Sequence, residues 1–145
     1  MNIAIDFDGT CVKHDFPRVG ADIGAVPVLK KITECGHRLI LFTMRSGRDY
    51  TFVQSNGQNI PVNDDNAYSY TLGDVVNWFK HNDIPLWGIQ KNPEQYHWTN
   101  SPKAYAHIYI DDAALGCPLI YPEDGGRPYV DWVIVEEILK ERNII

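Results

Sequence analysis

No run of eighteen apolar residues occurs in this chain of 145 residues, so it offers no candidate for a membrane-spanning helix. Its first residues, MNIAIDFD, carry neither a basic segment nor a long apolar stretch; no secretory leader is expected, and a cytoplasmic location is the default reading. Cysteine is scarce. Cys11, Cys35 and Cys117 are odd in number, widely spaced and without a CxxC, which supports neither a disulfide framework nor a zinc site, and buried free thiols are expected. The five histidines, at 14, 37, 81, 97 and 107, lack ligand spacing such as HxxxH and read as structural or exposed groups. P-loop, internal repeat, low-complexity tract and long like-charge run are all missing, which removes the commonest nucleotide-kinase reading and any obvious linker. Basic residues are outnumbered, 13 against 19 acidic, and the formal charge of −6 disfavours unspecific attraction to phosphate backbones or anionic lipid.

What is present suits one folded domain over residues 1–145. Hydrophobic residues make up 44% and charged ones 22%, the balance of a globular chain able to bury one sizeable core. Short apolar runs alternate with helical patterns, the mark of β-α units around a mostly parallel sheet. IAIDF, RLILFTM, PLWGIQ and AHIYIDD read as four strands, and PLIY as a weaker fifth. In DIGAVPVLKKITECGHR, Val26, Leu29, Ile32 and Cys35 fall at helical spacing, Pro27 suits the first turn, and Gly36 can end the helix in a left-handed conformation. TLGDVVNWFKHN places Leu72, Val75, Val76 and Phe79 on one face, with Thr71 and Asp74 resembling a capping box. YVDWVIVEEILKER reads as a closing helix. The long segment between Arg45 and Thr71 breaks the rhythm, and Asn56-Gly57 suggests a small β-hairpin around 47–66. The expected architecture is a Rossmann-like three-layer α/β/α sandwich, with Ile3, Ile5, Leu39, Leu41, Ile108 and Ile110 joining the helix faces in the core.

An open α/β sheet binds its ligands beyond the carboxyl ends of its strands. Asp6 and Asp8, Thr43, and Asp111 with Asp112 all fall at such ends. Converging carboxylates repel one another unless a cation sits among them, and hard oxygen donors suit Mg²⁺. Gly9 would let the backbone turn sharply, and the amides of that turn with the Thr10 hydroxyl would face a phosphate.

DFDGT behind an apolar strand is similar to the first motif of the haloacid dehalogenase superfamily phosphatases. LILFTMR resembles the second motif, with Thr43 at the strand end; Lys103 in SPKAYAHIYIDD resembles the third and IYIDD the fourth, in the same order, so that the likeness spans Asp6 to Asp112. The resemblance implies a magnesium-dependent phosphomonoesterase. Asp6 would be the nucleophile that forms an aspartyl-phosphate; Asp8 would be the general acid and base, its backbone carbonyl ligating the metal. Thr43 and Lys103 would hold the phosphoryl oxygens, with Lys103 also paired to Asp6, and Asp111 and Asp112 would complete the metal site, Asp112 as the closer ligand. Lys91 in GIQKNP competes with Lys103 for that role. Gly9, Thr10, Met44 and Arg45 are candidate substrate contacts, Arg45 reaching either a substrate anion or a surface carboxylate.

Other readings remain in view. A receiver domain uses a similar inventory but places its acidic pair early, and an EF-hand would need different residues where Thr10 and Pro17 stand. A phosphate- and magnesium-binding module without useful turnover, or a phosphotransferase of the same superfamily, would carry the same motifs. A phosphorylated small molecule is the expected substrate, with a nucleic-acid end or a phosphoprotein as alternatives. No membrane partner is expected, and an open site that lacks a separate cap domain would suit closure by a homo-oligomer partner.

Overall fold

Each of the first three strands expected from the sequence is a short apolar run, and in the structure they pack side by side. The structure, a computed structural model, describes residues 1–47 and 71–145, and the hairpin expected around 47–66 lies almost wholly outside them. Strands β1 (Asn2–Ile5), β2 (Arg38–Leu41), β3 (Leu86–Ile89) and β4 (Ile108–Ile110) form one parallel sheet in the order β3-β2-β1-β4. The architecture is α/β, as the alternation of patterns predicts. PLIY does not extend this sheet. Its β5 (Leu119–Ile120) pairs antiparallel with β6 (Tyr129–Val130) in a separate two-stranded ribbon.

Helices α1 (Ala25–Glu34) and α2 (Leu72–His81) connect β1 to β2 and β2 to β3. Both steps run the same way across the sheet, and right-handed crossovers therefore put both helices on one face. Phe7, Ile3, Ile5, Leu39 and Leu41 point to that face and join one core with Leu29 and Ile32 of α1 and Leu72, Val75 and Phe79 of α2. Phe7 meets Trp78 edge-on at 5.4 Å, which seats α2 against the end of β1. Helix α3 (Trp132–Glu141) completes the layer, adding Trp132, Val135 and Leu139 and tying Glu136 to Lys31 of α1. The connection from β3 to β4 must cross back over the opposite face, where Ala4, Ile40 and Gly88 alternate with the first set. That crossing contains a 3₁₀ turn (Gln95–His97), and Pro93 packs close to Gly88 and Ile40. The second outer layer is thus built by this crossing rather than by an α-helix among the described residues.

Local details depart from expectation where side-chain direction matters. α1 buries Ala25, Val28, Leu29 and Ile32, while Val26 is only half-buried and Cys35 is exposed beyond the last turn. Gly36, at φ +80°, closes the helix: its N–H bonds Thr33 O at 3.0 Å and the His37 N–H bonds Ile32 O at 3.2 Å, a Schellman arrangement. The capping box at Thr71 and Asp74 does not form. Thr71 already has helical φ and ψ (−72°, −10°), whereas a capping side chain needs an extended backbone, and the Leu72 N–H is taken by Ser46 O at 3.0 Å. Val76 and Ile108 are partly rather than fully buried. The three thiols are free, but only Cys11 is buried.

Asp131 is the N-cap of α3, its carboxylate accepting from the Val133 and Ile134 amides. Replacing it with alanine should cost about 1 kcal/mol. Gly36→Ala should cost about 1–2 kcal/mol through the left-handed backbone alone, because nothing crowds a Cβ at that point. Urea denaturation of the two variants checks both values.

Candidate active site

The sheet order places the site. From β1 the chain steps one way to β2, while β4 returns to the other side of β1, so the switch in winding direction lies between β1 and β4. Ile5 is in register with Ile110, and the Asp6 N–H donates to Ile110 O at 3.1 Å, which sets Asp6 level with Asp111. One carboxylate oxygen each from Asp6, Asp111 and Asp112 lie within 4.8 Å of one another. Opposite ligands of an octahedral magnesium are about 4 Å apart. The three oxygens would have to draw closer to meet such an ion, and an all-carboxylate donor set has the hardness that Mg²⁺ selects.

Burial pushes the Asp6 carboxyl up to about 7; the Phe7 backbone amide, the next largest effect, opposes it, and the carboxylates of Asp111, Asp112 and Asp8 each add a smaller upward push. The turn that follows is tightly pinned. The Cys11 and Thr10 amides donate to Phe7 O, and the Trp132 indole N–H donates to Thr10 O at 2.7 Å. The fully buried Thr10 hydroxyl lies 3.3 Å from Asp6 Oδ2 and 3.5 Å from Asp112 Oδ1, and accepts the Asp112 N–H at 3.0 Å. Its described contacts are all within the carboxylate cluster.

Asp8 is two residues from Asp6, yet its carboxylate does not join the cluster. Arg45 takes it in a two-pronged contact, Nε to Oδ2 at 2.7 Å and Nη2 to Oδ1 at 2.6 Å. Nη1 also donates to Pro17 O and Nη2 to Arg18 O, and the guanidinium lies 5.3 Å from the Phe7 ring and 5.2 Å from that of Phe16. Four of the five N–H groups of Arg45 are engaged in these contacts and the residue is 2% exposed, so its described role is to hold Asp8 and the loop. Its backbone is equally fixed. Gln90, just past β3, accepts from the Thr43 N–H at 3.0 Å and donates to Thr43 O and to Arg45 O, and the Thr43 hydroxyl accepts the Arg45 N–H at 3.3 Å. Thr43 thus stands at the same edge as Asp6, as its motif position implies, while Met44 beside it is 98% exposed.

Lys103 is not paired with Asp6 among the described contacts. Its ammonium sits 5.3 Å from the ring of Tyr109, a residue of β4 whose side chain lies on the crossover face and donates to Ala104 O. Lys91, exposed after Gln90, makes no ion pair with the cluster among the described contacts either. Two residues escaped sequence reasoning. His14 Nε2 lies 2.9 Å from Asp112 Oδ2, and no ligand spacing marks it. Gln90 sits at the polar end of a strand, the same signal that exposed Thr43, and that signal could have found it. A cavity of about 470 Å³ between α2 and β3 is lined by Val76, Phe79, Ile84 and Leu86 and holds none of these groups.

Because folding raises the Asp6 pKa from 3.8 to about 7, the unfolded chain gives up this proton first as pH rises. Metal-free stability should therefore fall between pH 4 and 7 by an amount on the order of a few kcal/mol. Asp6→Asn should raise the melting temperature at pH 8 and not at pH 4, read as the difference between variant and wild-type melts across that range. Arg45→Met should destabilise by about 3–5 kcal/mol by leaving Asp8 without its partner, as denaturant titration would measure.

No family model matches the chain, and no curated protein matches it. A solved structure of a conserved protein coded by a locus from Bacteroides thetaiotaomicron superposes with a TM-score of 0.67 and 32% sequence identity, over 98% of this chain and 91% of that one. Identity at that level along nearly the whole of both chains goes beyond a shared sheet topology, and this chain belongs to the same family as that conserved protein.

Proposed function

We propose that the protein is a magnesium-dependent phosphomonoester hydrolase of the haloacid dehalogenase type, acting through an aspartyl-phosphate on Asp6. The observation that carries this reading is the desolvated Asp6 carboxyl meeting Asp111 and Asp112 at the sheet's switch point, with Asp8 held apart. Asp6, Asp111 and Asp112 would hold Mg²⁺, with the Asp8 carbonyl as a further ligand by the resemblance. The cation would keep Asp6 ionised at neutral pH and offset repulsion between nucleophile and phosphate.

Asp6 attacks phosphorus, the bond to the leaving oxygen breaks, and the proton of Asp8 passes to that oxygen. A water then attacks the phosphorus of the aspartyl-phosphate; Asp8 takes its proton, and Asp6 leaves as a free carboxylate. The division of labour needs one carboxyl inside the metal cluster and one outside it. Arg45 uses two of the roughly four lone-pair sites of Asp8, which leaves a site to carry the proton that would pass to the leaving oxygen. Thr43, at the same edge, would hold a phosphoryl oxygen. A phosphorylated small molecule fits this chemistry, as would a nucleic-acid end or a phosphoprotein at an open edge.

The position of Lys103 over Tyr109 favours the second reading, a phosphate- and magnesium-binding module without turnover. Phosphate release from p-nitrophenyl phosphate and a panel of phosphorylated metabolites, with and without Mg²⁺, separates the two. The expected outcome is metal-dependent release that Asp6→Asn abolishes and Asp8→Asn lowers by about 10²–10⁴-fold. A folded wild type inactive across the panel would favour the binder instead.

A further inference from the structure

The phosphoryl-transfer chemistry leaves His14 without a task, although it touches the metal cluster directly. His14 lies on the loop between β1 and α1, and that loop is anchored: the Lys13 N–H bonds Ala21 O at 2.9 Å, Val12 bridges to Asp22, and Arg45 holds the carbonyls of Pro17 and Arg18. Its Nε2 lies 2.9 Å from Asp112 Oδ2, with both side chains largely shielded from solvent. An ionised carboxylate only accepts, so Nε2 carries the hydrogen. The other oxygen of Asp112, Oδ1, lies on the side of Thr10 and Asp6.

Gly9 supplies an independent sign that this contact is built into the turn. A Cβ at Gly9 would stand 2.1 Å from His14 Nε2 and 2.7 Å from Asp112 Oδ2, in a backbone already at φ +85°. The imidazole and the carboxylate occupy the space that any side chain there would fill. The glycine therefore serves two needs, the left-handed turn and clearance for the His14–Asp112 pair.

We propose that His14 is a positioning residue for Asp112: it holds Oδ2 so that Oδ1 is presented to the cation shared with Asp6 and Asp111. This role presupposes the cation site proposed above. Partners that orient a metal-ligating carboxylate are worth about 10–100-fold in metal affinity.

Mn²⁺ titration of the full chain, followed by loss of the aqueous Mn²⁺ EPR signal, tests the role in the wild type, His14→Ala, His14→Gln and Asp112→Asn. His14→Ala should bind about 10–100-fold more weakly. His14→Gln, whose amide N–H can reach the same oxygen, should recover most of that loss, and Asp112→Asn should bind weakest, with both His14 variants folded in metal-free melts. Unchanged affinity in His14→Ala overturns the proposal, and so does tighter binding, which would make His14 a competitor of the cation for Asp112. Unfolding of both His14 variants assigns the residue to loop structure and overturns it too. A wild type that binds no Mn²⁺ removes the cation site and the hydrolase reading with it, whereas a binding wild type with an unaffected His14→Ala removes only the role of His14.

Discussion

Like-charge repulsion where β1 and β4 end is the constraint to which the surrounding groups respond. Two unit charges at the 4.8 Å limit of the cluster oppose each other by about 3 kcal/mol at an effective dielectric of 20, and three carboxylates make three such pairs. Burial removes the water that would soften this. The chain has two ways to relieve the strain: a proton on Asp6, reflected in a pKa raised to about 7, or a divalent ion among the oxygens. The same arrangement that makes Asp6 a poor free carboxylate would, in the hydrolase proposed above, make it a nucleophile dependent on the cation.

Relief by separation is the third device, and it acts on Asp8. An extended strand would send Asp6 and Asp8 to the same side. Arg45 draws the second carboxylate away and links three stretches of chain: the end of β1, the loop at Pro17 and Arg18, and the end of β2. Gln90 then fastens the backbone of Thr43 and Arg45 to the end of β3. The edge is rigid because its polar groups are satisfied by one another, with no buried polar side-chain atom left unpartnered among the described residues.

Much of the fold was legible because local physics dictates it. Uninterrupted apolar runs of four or five residues suit strands buried on both faces, and the turns between them carry the glycine and proline that such turns require. The ribbon of β5 and β6 was not legible, since a two-residue strand has too short a pattern to declare its partner. The direction of Lys103 was not legible for a related reason: a motif order says which strand end a residue precedes, but not toward which face of the sheet a loop side chain turns. Its neighbour Tyr109 alternates to the crossover face, and the ammonium follows it.

The amino-acid order by itself determined the parallel α/β architecture and the meeting of Asp6 with Asp111 and Asp112, because strand periodicity and the carboxyl-edge rule depend only on local pattern and winding. Tertiary structure alone decided how the polar groups share the edge: Arg45 turned inward to Asp8, Thr10 between two carboxylates, His14 on Asp112 over the glycine, Gln90 across to β2. Those choices depend on angles and distances of a few ångströms between segments up to a hundred residues apart, and no periodicity encodes them.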